Sequence, residues 1–150
     1  MEYITYSNLD KEEKSIVDKA FEAAKHSVAP AGHKVGSAIL CNNGEVFQGA
    51  TNTRTRVIGS TCAERMAVDQ MFYHKNKKPK LIALIGVLQR ERWTKDSICT
   101  PCGVCLEMYW EMTMKLRLKD IDLLCVSWNK KRVLRAKLTE LFPRVEVIKR

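Results

Sequence analysis

Two short cysteine segments contain the residue types best suited to chemistry in this chain. The first is Cys62-Ala63-Glu64, and the second is Cys102-Gly103-Val104-Cys105. Cys102 and Cys105 are three residues apart, so on a helical turn their sulfurs lie on one face. Together with Cys62 they would give zinc three ligands and leave its fourth position open to water, as at a catalytic site. Glu64 would lie beside that open position as a proton carrier.

The local charge around such a site also matters. Both cysteine segments are predicted to begin helices, and the partial positive charge of a helix N-terminus favours thiolate over thiol. Three thiolates still make a zinc site net negative, which weakens the metal as a Lewis acid. Arg65 follows Glu64 directly and is predicted to offset this charge near the sulfurs.

The two segments together resemble the zinc-binding signature of the cytidine deaminase family, in which three cysteines and a nearby glutamate activate water. Further segments that resemble this family are Ala29-Pro30, residues 35–40 and residues 138–143. The resemblance implies one catalytic domain over residues 1–150, with a three-layer α/β/α sandwich and a mixed central sheet. It also implies a zinc cofactor and a homotetramer.

The resemblance further implies a reaction and its residues. Water activated by zinc and Glu64 attacks C4 of a cytosine nucleoside, and ammonia leaves. Backbone groups near Ala63 hold the edge of the base, Asn52 binds the sugar, and Arg65 acts as a donor behind the ligands. The expected role is pyrimidine salvage by a hydrolase.

Two departures from the family fall at substrate positions. His33-Lys34 stands where the family usually has an aromatic residue that packs on the base. Asn52-Thr53-Arg54 replaces the family's Asn-x-Glu. A carboxylate accepts hydrogen bonds from sugar hydroxyls, whereas a guanidinium only donates. Arg54 suits a phosphate or carboxylate better. The sequence therefore predicts a cytosine nucleoside, a modified one of the blasticidin-S type, or a CMP-type nucleotide.

Composition narrows the class of protein. Hydrophobic residues make up 45% of the 150 residues, which is typical of a globular domain. The formal net charge of +9 could attract nucleic acid. However, relatives that act on polynucleotides usually have histidine where Cys62 stands, so a small-molecule substrate is favoured over nucleic-acid editing. We expect no membrane segment and a cytoplasmic location, because no long apolar run and no signal-peptide pattern are present.

Two other metal sites are compatible with the spacing. Cys99 could join the other three cysteines in a structural, non-catalytic four-cysteine zinc site, which would leave Glu64 without a role. Cys99, Cys102 and Cys105 also match the start of a bacterial ferredoxin cluster motif, but the fourth position would be Tyr109, without a following proline. The remaining thiols, Cys41 and Cys125, lie in apolar runs and are predicted to be core residues.

The hydrophobic pattern predicts strands alternating with helices. Asp10 and Glu13 form a capping-box pattern before the first helix, which is predicted to end at Pro30. Asn43-Gly44 predicts a hairpin turn. Further helices are predicted to begin near Cys62 and at Cys102. The remaining predicted elements are strands at residues 35–41, 46–50, 81–88, 121–128 and 145–148, and a helix at 133–142.

Overall fold

The computed structural model describes residues 1–54 and 59–142. Within those ranges, every helix is too short or too polar to traverse a lipid bilayer. A 3₁₀ turn at Tyr6–Asn8 follows the first strand. The strands and α-helices are, in chain order, Glu2–Ile4 (β1), Lys11–Ala24 (α1), Lys34–Cys41 (β2), Val46–Ala50 (β3), Ala63–Tyr73 (α2), Pro79–Val87 (β4), Gly103–Lys115 (α3), Asp122–Ser127 (β5), Val133–Lys137 (β6) and Leu138–Leu141 (α4).

The strands form one mixed sheet in the order β1-β6-β5-β4-β2-β3. Strands β4 and β5 are parallel, and the other neighbouring pairs are antiparallel. A parallel pair needs a crossover connection, and the chain between β4 and β5 contains α3. The mixed sheet was predicted correctly.

Helices cover both faces of this sheet. On one face, α1 packs against a buried apolar cluster that includes Ala38, Ile85 and Val126. On the other face, α2 and α3 pack against alternate residues of the same strands, including Ile39, Ile82 and Leu123. The alternation follows from the two-residue period of a strand. The α/β/α sandwich predicted from the sequence is thereby confirmed.

The first helix begins as predicted and ends earlier. The Asp10 carboxylate accepts a hydrogen bond from the Glu13 N–H at 2.8 Å, and Glu13 accepts one from the Asp10 N–H at 3.0 Å. The helix ends at Ala24, ahead of the predicted stop at Pro30. Past that end, the Ser27 hydroxyl accepts from Val35 N–H at 3.0 Å and donates to its carbonyl at 3.1 Å. These two hydrogen bonds attach the segment that follows α1 to strand β2.

The predicted hairpin is confirmed. Gly44 has a φ of +86°, the left-handed conformation that favours glycine. Its N–H donates to the Cys41 carbonyl at 2.9 Å. The flanking strands β2 and β3 pair from Leu40 opposite Val46 to Gly36 opposite Ala50.

The predicted helix at 133–142 is wrong over its first half. Residues Val133–Lys137 form β6, which pairs with β5 on one side and β1 on the other. Only Leu138–Leu141 is helical. Without β6 the backbone edge of β5 would lack hydrogen-bond partners, so sheet pairing outweighs the helical propensity of this segment. The strand predicted at 145–148 lies outside the described residues.

Two glycines let helices approach the sheet very closely. A Cβ atom at Gly36 would lie 2.0 Å from the Ala20 carbonyl oxygen of α1. A Cβ atom at Gly49 would lie 2.1 Å from the Ala63 carbonyl oxygen of α2. Only a residue without a side chain fits at these distances. Gly49 therefore sets how closely the first turn of α2 packs on β3.

Candidate metal centre

The three cysteines predicted to bind zinc come together at the start of two helices. Cys62 is the N-cap residue of α2, Cys102 is the N-cap residue of α3, and Cys105 lies in the first turn of α3. Their sulfur atoms all lie within 4.8 Å of one another. Residues 40 positions apart in the sequence thus share one site, beside the unpaired N–H groups of two helix N-termini.

This donor set fits a zinc ion. Tetrahedral zinc with Zn–S bonds of about 2.3 Å separates its sulfur ligands by roughly 3.8 Å. The sulfurs are thus close enough to surround a metal after small side-chain movements. Cys105 is buried, Cys62 is half-buried and Cys102 is exposed. The site therefore opens to solvent on the Cys102 side, where a fourth ligand can enter.

Glu64 is a buried carboxyl group beside these thiols. It lies in the first turn of α2 and is only 5% exposed. Burial raises the pKa of Glu64, while a hydrogen bond from its own backbone N–H, a hydrogen bond with Cys105 and the charge of Arg65 act in the opposite direction. A carboxyl with a raised pKa is suited to accepting and returning a proton near neutral pH.

The thiols influence one another strongly. A hydrogen bond with Cys105 lowers the pKa of Cys62 to about 7 against the effect of burial, and Arg65 and Cys102 add to the lowering. The same hydrogen bond, together with burial, raises the pKa of Cys105. Of the two thiols, Cys62 is therefore the one that ionises more readily. The charge of Arg65 contributes to the lowered pKa of Cys62, and its role beside a bound metal stays a prediction.

The residues predicted to bind substrate lie near the start of α2, and their roles stay predictions. Asn52 pairs with Thr61 through two backbone hydrogen bonds of 3.0 and 2.9 Å, directly before Cys62. The Arg54 N–H donates to the Ser60 hydroxyl at 2.8 Å, and the Arg54 side chain is exposed. Ala63 is fully buried, so only its backbone can serve a ligand.

Cys99 lies outside the group formed by the three clustered sulfurs. It is a buried thiol in a small apolar cluster with Val35, Ala63 and Leu84, against which Trp93 packs. Burial raises the pKa of Cys99. This placement counts against both the four-cysteine site and the ferredoxin-like cluster. The other two thiols, Cys41 and Cys125, are core residues as predicted, each 1% exposed.

Sequence reasoning missed two buried hydroxyl groups on elements near the site. Ser37 in β2 and Tyr109 in α3 are both fully buried. Two signals were present in the sequence. Tyr109 follows Cys105 by four residues, which places it on the same helix face, and Ser37 is a polar residue within the buried part of β2.

Comparison with known proteins agrees with this geometry. The family model "Cytidine and deoxycytidylate deaminase zinc-binding region" matches residues 10–117. A probable cytidine deaminase from Dictyostelium discoideum is 29% identical over 113 residues, which cover 74% of this chain and 68% of that protein.

Solved structures share the fold at low sequence identity. The cytidine deaminase from Burkholderia pseudomallei aligns with a TM-score of 0.72 at 22% identity, over 87% of this chain and 96% of that one. The cytidine deaminase from Mycobacterium tuberculosis aligns with a TM-score of 0.67 at 19% identity, over 93% and 100% of the two chains. Because the family model spans well over half of the chain, this protein belongs to the cytidine and deoxycytidylate deaminase family and is a hydrolytic deaminase.

Proposed function

We propose that this protein is a zinc-dependent hydrolytic deaminase of a cytosine nucleoside, either cytidine or deoxycytidine or a modified nucleoside of the blasticidin-S type. Cys62, Cys102 and Cys105 hold the zinc ion, and Glu64 transfers protons. The observation that carries the proposal is the meeting of three sulfurs within 4.8 Å of one another beside a carboxyl that is 5% exposed.

The reaction replaces the amino group at C4 of the base by oxygen. Zinc at this site would lower the pKa of a water molecule enough to make it a nucleophile near neutral pH. A Glu64 carboxylate oxygen accepts one proton of the attacking water and delivers it to the ring nitrogen N3. The second proton of the water passes by the same carboxylate to the amino group. The C4–N bond then breaks, ammonia leaves, and Glu64 is again ionised.

The chain's other residues bind and orient the substrate. Ala63 is fully buried, so its backbone is the part that can hold the edge of the base, together with the backbone at Cys102. Both residues lie at helix N-termini, whose free N–H groups are donors for such contacts. Asn52, held by its backbone pairing with Thr61, is proposed to contact the sugar. Arg65 offsets the negative charge of the three thiolates.

Arg54 is the residue that favours a second candidate, a nucleotide of the CMP type. Its backbone is held near the start of α2 by the bond from its N–H to the Ser60 hydroxyl, and its side chain is exposed. A guanidinium can bind a phosphate or carboxylate through two hydrogen bonds. If it does so, Arg54→Glu should reduce kcat/KM on an anionic substrate by about tenfold or more and spare a neutral one. Equal losses on both substrates would remove this role.

The proposal also covers the domain organisation, the assembly and the cellular role of the protein. The resemblance to the family supports a single catalytic domain over residues 1–150 that assembles into a homotetramer. It also supports a cytoplasmic role in pyrimidine salvage. Sedimentation of the purified chain tests the assembly, and a monomer at micromolar concentration would refute it.

The test is ammonia release by the zinc-loaded protein from a panel of substrates. The panel holds cytidine, deoxycytidine, CMP, dCMP, blasticidin S, adenosine and single-stranded DNA. We expect turnover of at least one free cytosine compound, reduced by a factor on the order of 10²–10⁴ in Glu64→Gln, whose amide cannot accept a proton. Silence on every free cytosine compound by a folded, zinc-loaded protein would contradict the proposal. Turnover confined to DNA would replace it with the editing alternative.

A further inference from the structure

Two neighbouring loops of the fold carry a large share of the positive charge of the chain. The first loop, residues 74–80, follows α2, and the second, residues 115–120, runs from the end of α3 toward β5. Together they contain seven basic residues and one acidic residue, Asp120, which is a net charge of +6 out of the +9 of the whole chain. The seven basic residues, named here the basic surface, are all exposed: Lys75, Lys77, Lys78, Lys80, Lys115, Arg117 and Lys119.

The sheet brings the two loops together. They lead into β4 and β5, which are neighbouring parallel strands with Leu81 opposite Asp122. The starts of two neighbouring parallel strands lie at the same edge of a sheet, so both loops lie at that edge. The hairpin at residues 42–45 lies there too, because the Asn42 N–H donates to the Lys78 carbonyl at 2.9 Å.

This edge of the sheet is opposite the metal centre. The clustered cysteines lie at the N-termini of α2 and α3, whereas the basic surface lies at and beyond their C-termini. At 1.5 Å per residue, the 11 residues of α2 and the 13 residues of α3 separate the two places by roughly 16–20 Å. Contacts made by the basic surface are therefore separate from contacts made at the zinc ligands.

Much of this positive charge has no acidic partner. Within the described residues, five members of the basic surface form no ion pair with an Asp or Glu side chain, namely Lys75, Lys77, Lys78, Lys115 and Arg117. The acidic groups at this edge have other partners. Asp120 accepts from the Thr139 hydroxyl at 2.6 Å, and Asp122 accepts from Lys137 at 3.0 Å. The five side chains are thus available to an external anion.

The first loop and the hairpin enclose a groove. Its volume is about 430 Å³, and it is lined by Asn43, Glu45 and residues 74–78. The Asn76 amide donates to the Asn43 carbonyl oxygen at 3.0 Å and to the Glu45 carboxylate at 3.3 Å. These bonds fasten the loop to the hairpin, and they engage the one carboxylate of the groove. The volume is within the range of sites that hold small ligands, so one nucleotide unit can fit.

Aromatic rings accompany the lysines of this groove. Tyr73, the last residue of α2, is 80% exposed. Its ring meets the His74 ring edge-on, with the ring centroids 5.2 Å apart. Proteins that hold single-stranded nucleic acids combine such elements, because bases stack on aromatic rings while basic side chains bind the phosphates. An acidic protein would use the lysines and not the exposed ring, so nucleic acid accounts for more of this surface.

We propose that the basic surface binds single-stranded RNA or DNA as a second ligand of this protein. Lys75, Lys77 and Lys78 bind phosphates, and Tyr73 stacks on a base. The second loop continues the phosphate contacts toward β5. The bound strand is not the substrate, because these contacts lie away from the zinc ligands. The inference does not depend on the proposed function, since neither the metal nor Glu64 takes part in it.

The test is the binding of a short fluorescein-labelled polyuridine RNA, and of its DNA counterpart, followed by fluorescence anisotropy at several salt concentrations. Each phosphate contact on a single strand contributes about −0.7 to the slope of log K against log salt. Replacing Lys75, Lys77 and Lys78 together by glutamine should therefore flatten this slope by about 2. Tyr73→Ala should weaken binding by about 5–150-fold, the range of stacking on one ring, and leave the slope unchanged.

A matched control removes the same charge from another part of the surface. Lys11, Lys14 and Lys19 lie on α1, which covers the opposite face of the sheet from α2 and α3. Their joint replacement by glutamine should change the slope by less than about 0.5. Both triple variants should keep the ammonia release of the parent, because neither changes a residue of the metal centre.

Several results would overturn the inference. They are a parent protein that binds neither strand at low salt, equal changes of slope in the two triple variants, and tighter binding to phosphatidylserine vesicles than to the strands. Displacement of the strand by cytidine, or loss of binding in Glu64→Gln, would also overturn it by placing the strand at the metal centre. The proposed function fails separately. If the strand binds as described and no cytosine compound is deaminated, the inference stands and the proposed function falls.

Discussion

Replacing Gly49 with alanine should disable the metal centre without changing any residue in it. Gly49 lies in β3 and faces the first two turns of α2. That helix carries Cys62 at its N-cap and Glu64 in its first turn, whereas Cys102 and Cys105 belong to α3. A shift of α2 away from the sheet therefore separates one half of the site from the other.

The size of the shift follows from the packing. An alanine Cβ would lie 2.1 Å from the Ala63 carbonyl oxygen and 2.6 Å from the Ala67 nitrogen, and ordinary contacts begin at 3.4 Å. Both atoms are backbone, so no side chain can rotate away, and α2 must retreat by about 1.3 Å. Overpacking of this kind costs about 1–3 kcal/mol of stability. A misplacement near 1 Å in a catalytic site costs on the order of 10²-fold in rate.

Gly36→Ala is the matched control. Its Cβ would lie 2.0 Å from the Ala20 carbonyl oxygen and 2.4 Å from the Ala24 nitrogen, so the clash with a helix backbone is equally severe. That helix is α1, on the opposite face of the sheet, and it carries no predicted site residue. Gly36→Ala should thus lose similar stability and keep its zinc affinity and turnover per folded molecule.

The assay compares kcat/KM and zinc content of both variants at a temperature where circular dichroism shows each to be folded. We expect roughly a hundredfold lower kcat/KM for Gly49→Ala and a near-parental value for Gly36→Ala. Equal activity of the two folded variants would refute the reasoning, because it would mean that the seating of α2 on β3 does not control the site.

Two further predictions concern residues outside the proposed ligand set. Cys99→Ala should keep one zinc ion per chain with a modest loss of stability, because Cys99 is a buried thiol apart from the clustered sulfurs. Zinc content is measured by elemental analysis, and loss of the metal in a folded variant would favour the four-cysteine site instead. Burial acts to raise the pKa of Asp18, but hydrogen bonds from Lys130 and Tyr6 outweigh it and hold that pKa below its usual range. Asp18→Asn should therefore lower the free energy of unfolding by up to about 1 kcal/mol at pH 7, after allowance for its exposure. The difference should be present above the unfolded pKa of about 3.9 and disappear as pH falls through the lower folded value; urea unfolding that shows the same difference at pH 2 as at pH 7 would contradict this.

The sequence was sufficient to predict which three cysteines come together. Three thiols and a carboxyl have few ways to share a metal, and the spacing of Cys102 and Cys105 already places them on one helical turn. The helix starts near Cys62 and at Cys102 also followed from the pattern, and the structure makes each cysteine the N-cap residue. What the sequence could not show is the distance between the two helix ends, because it depends on the close packing at Gly49.

Other features depend on tertiary structure and escaped prediction. Residues Val133–Lys137 include good helix formers, yet they pair with β5. Without this pairing, the backbone N–H and C=O groups along that edge of β5 would have no hydrogen-bond partners. Strand β1 is three residues long and pairs with β6, and its pattern is too short to recognise.

The most direct test of the central claim pairs zinc content with deamination of the cytosine panel in one preparation. We predict one zinc ion per chain, with ammonia release that disappears when a chelator removes the metal and returns when zinc is added back. Turnover that survives complete removal of zinc would contradict the account. So would a folded protein with one zinc ion per chain that releases no ammonia from any cytosine substrate.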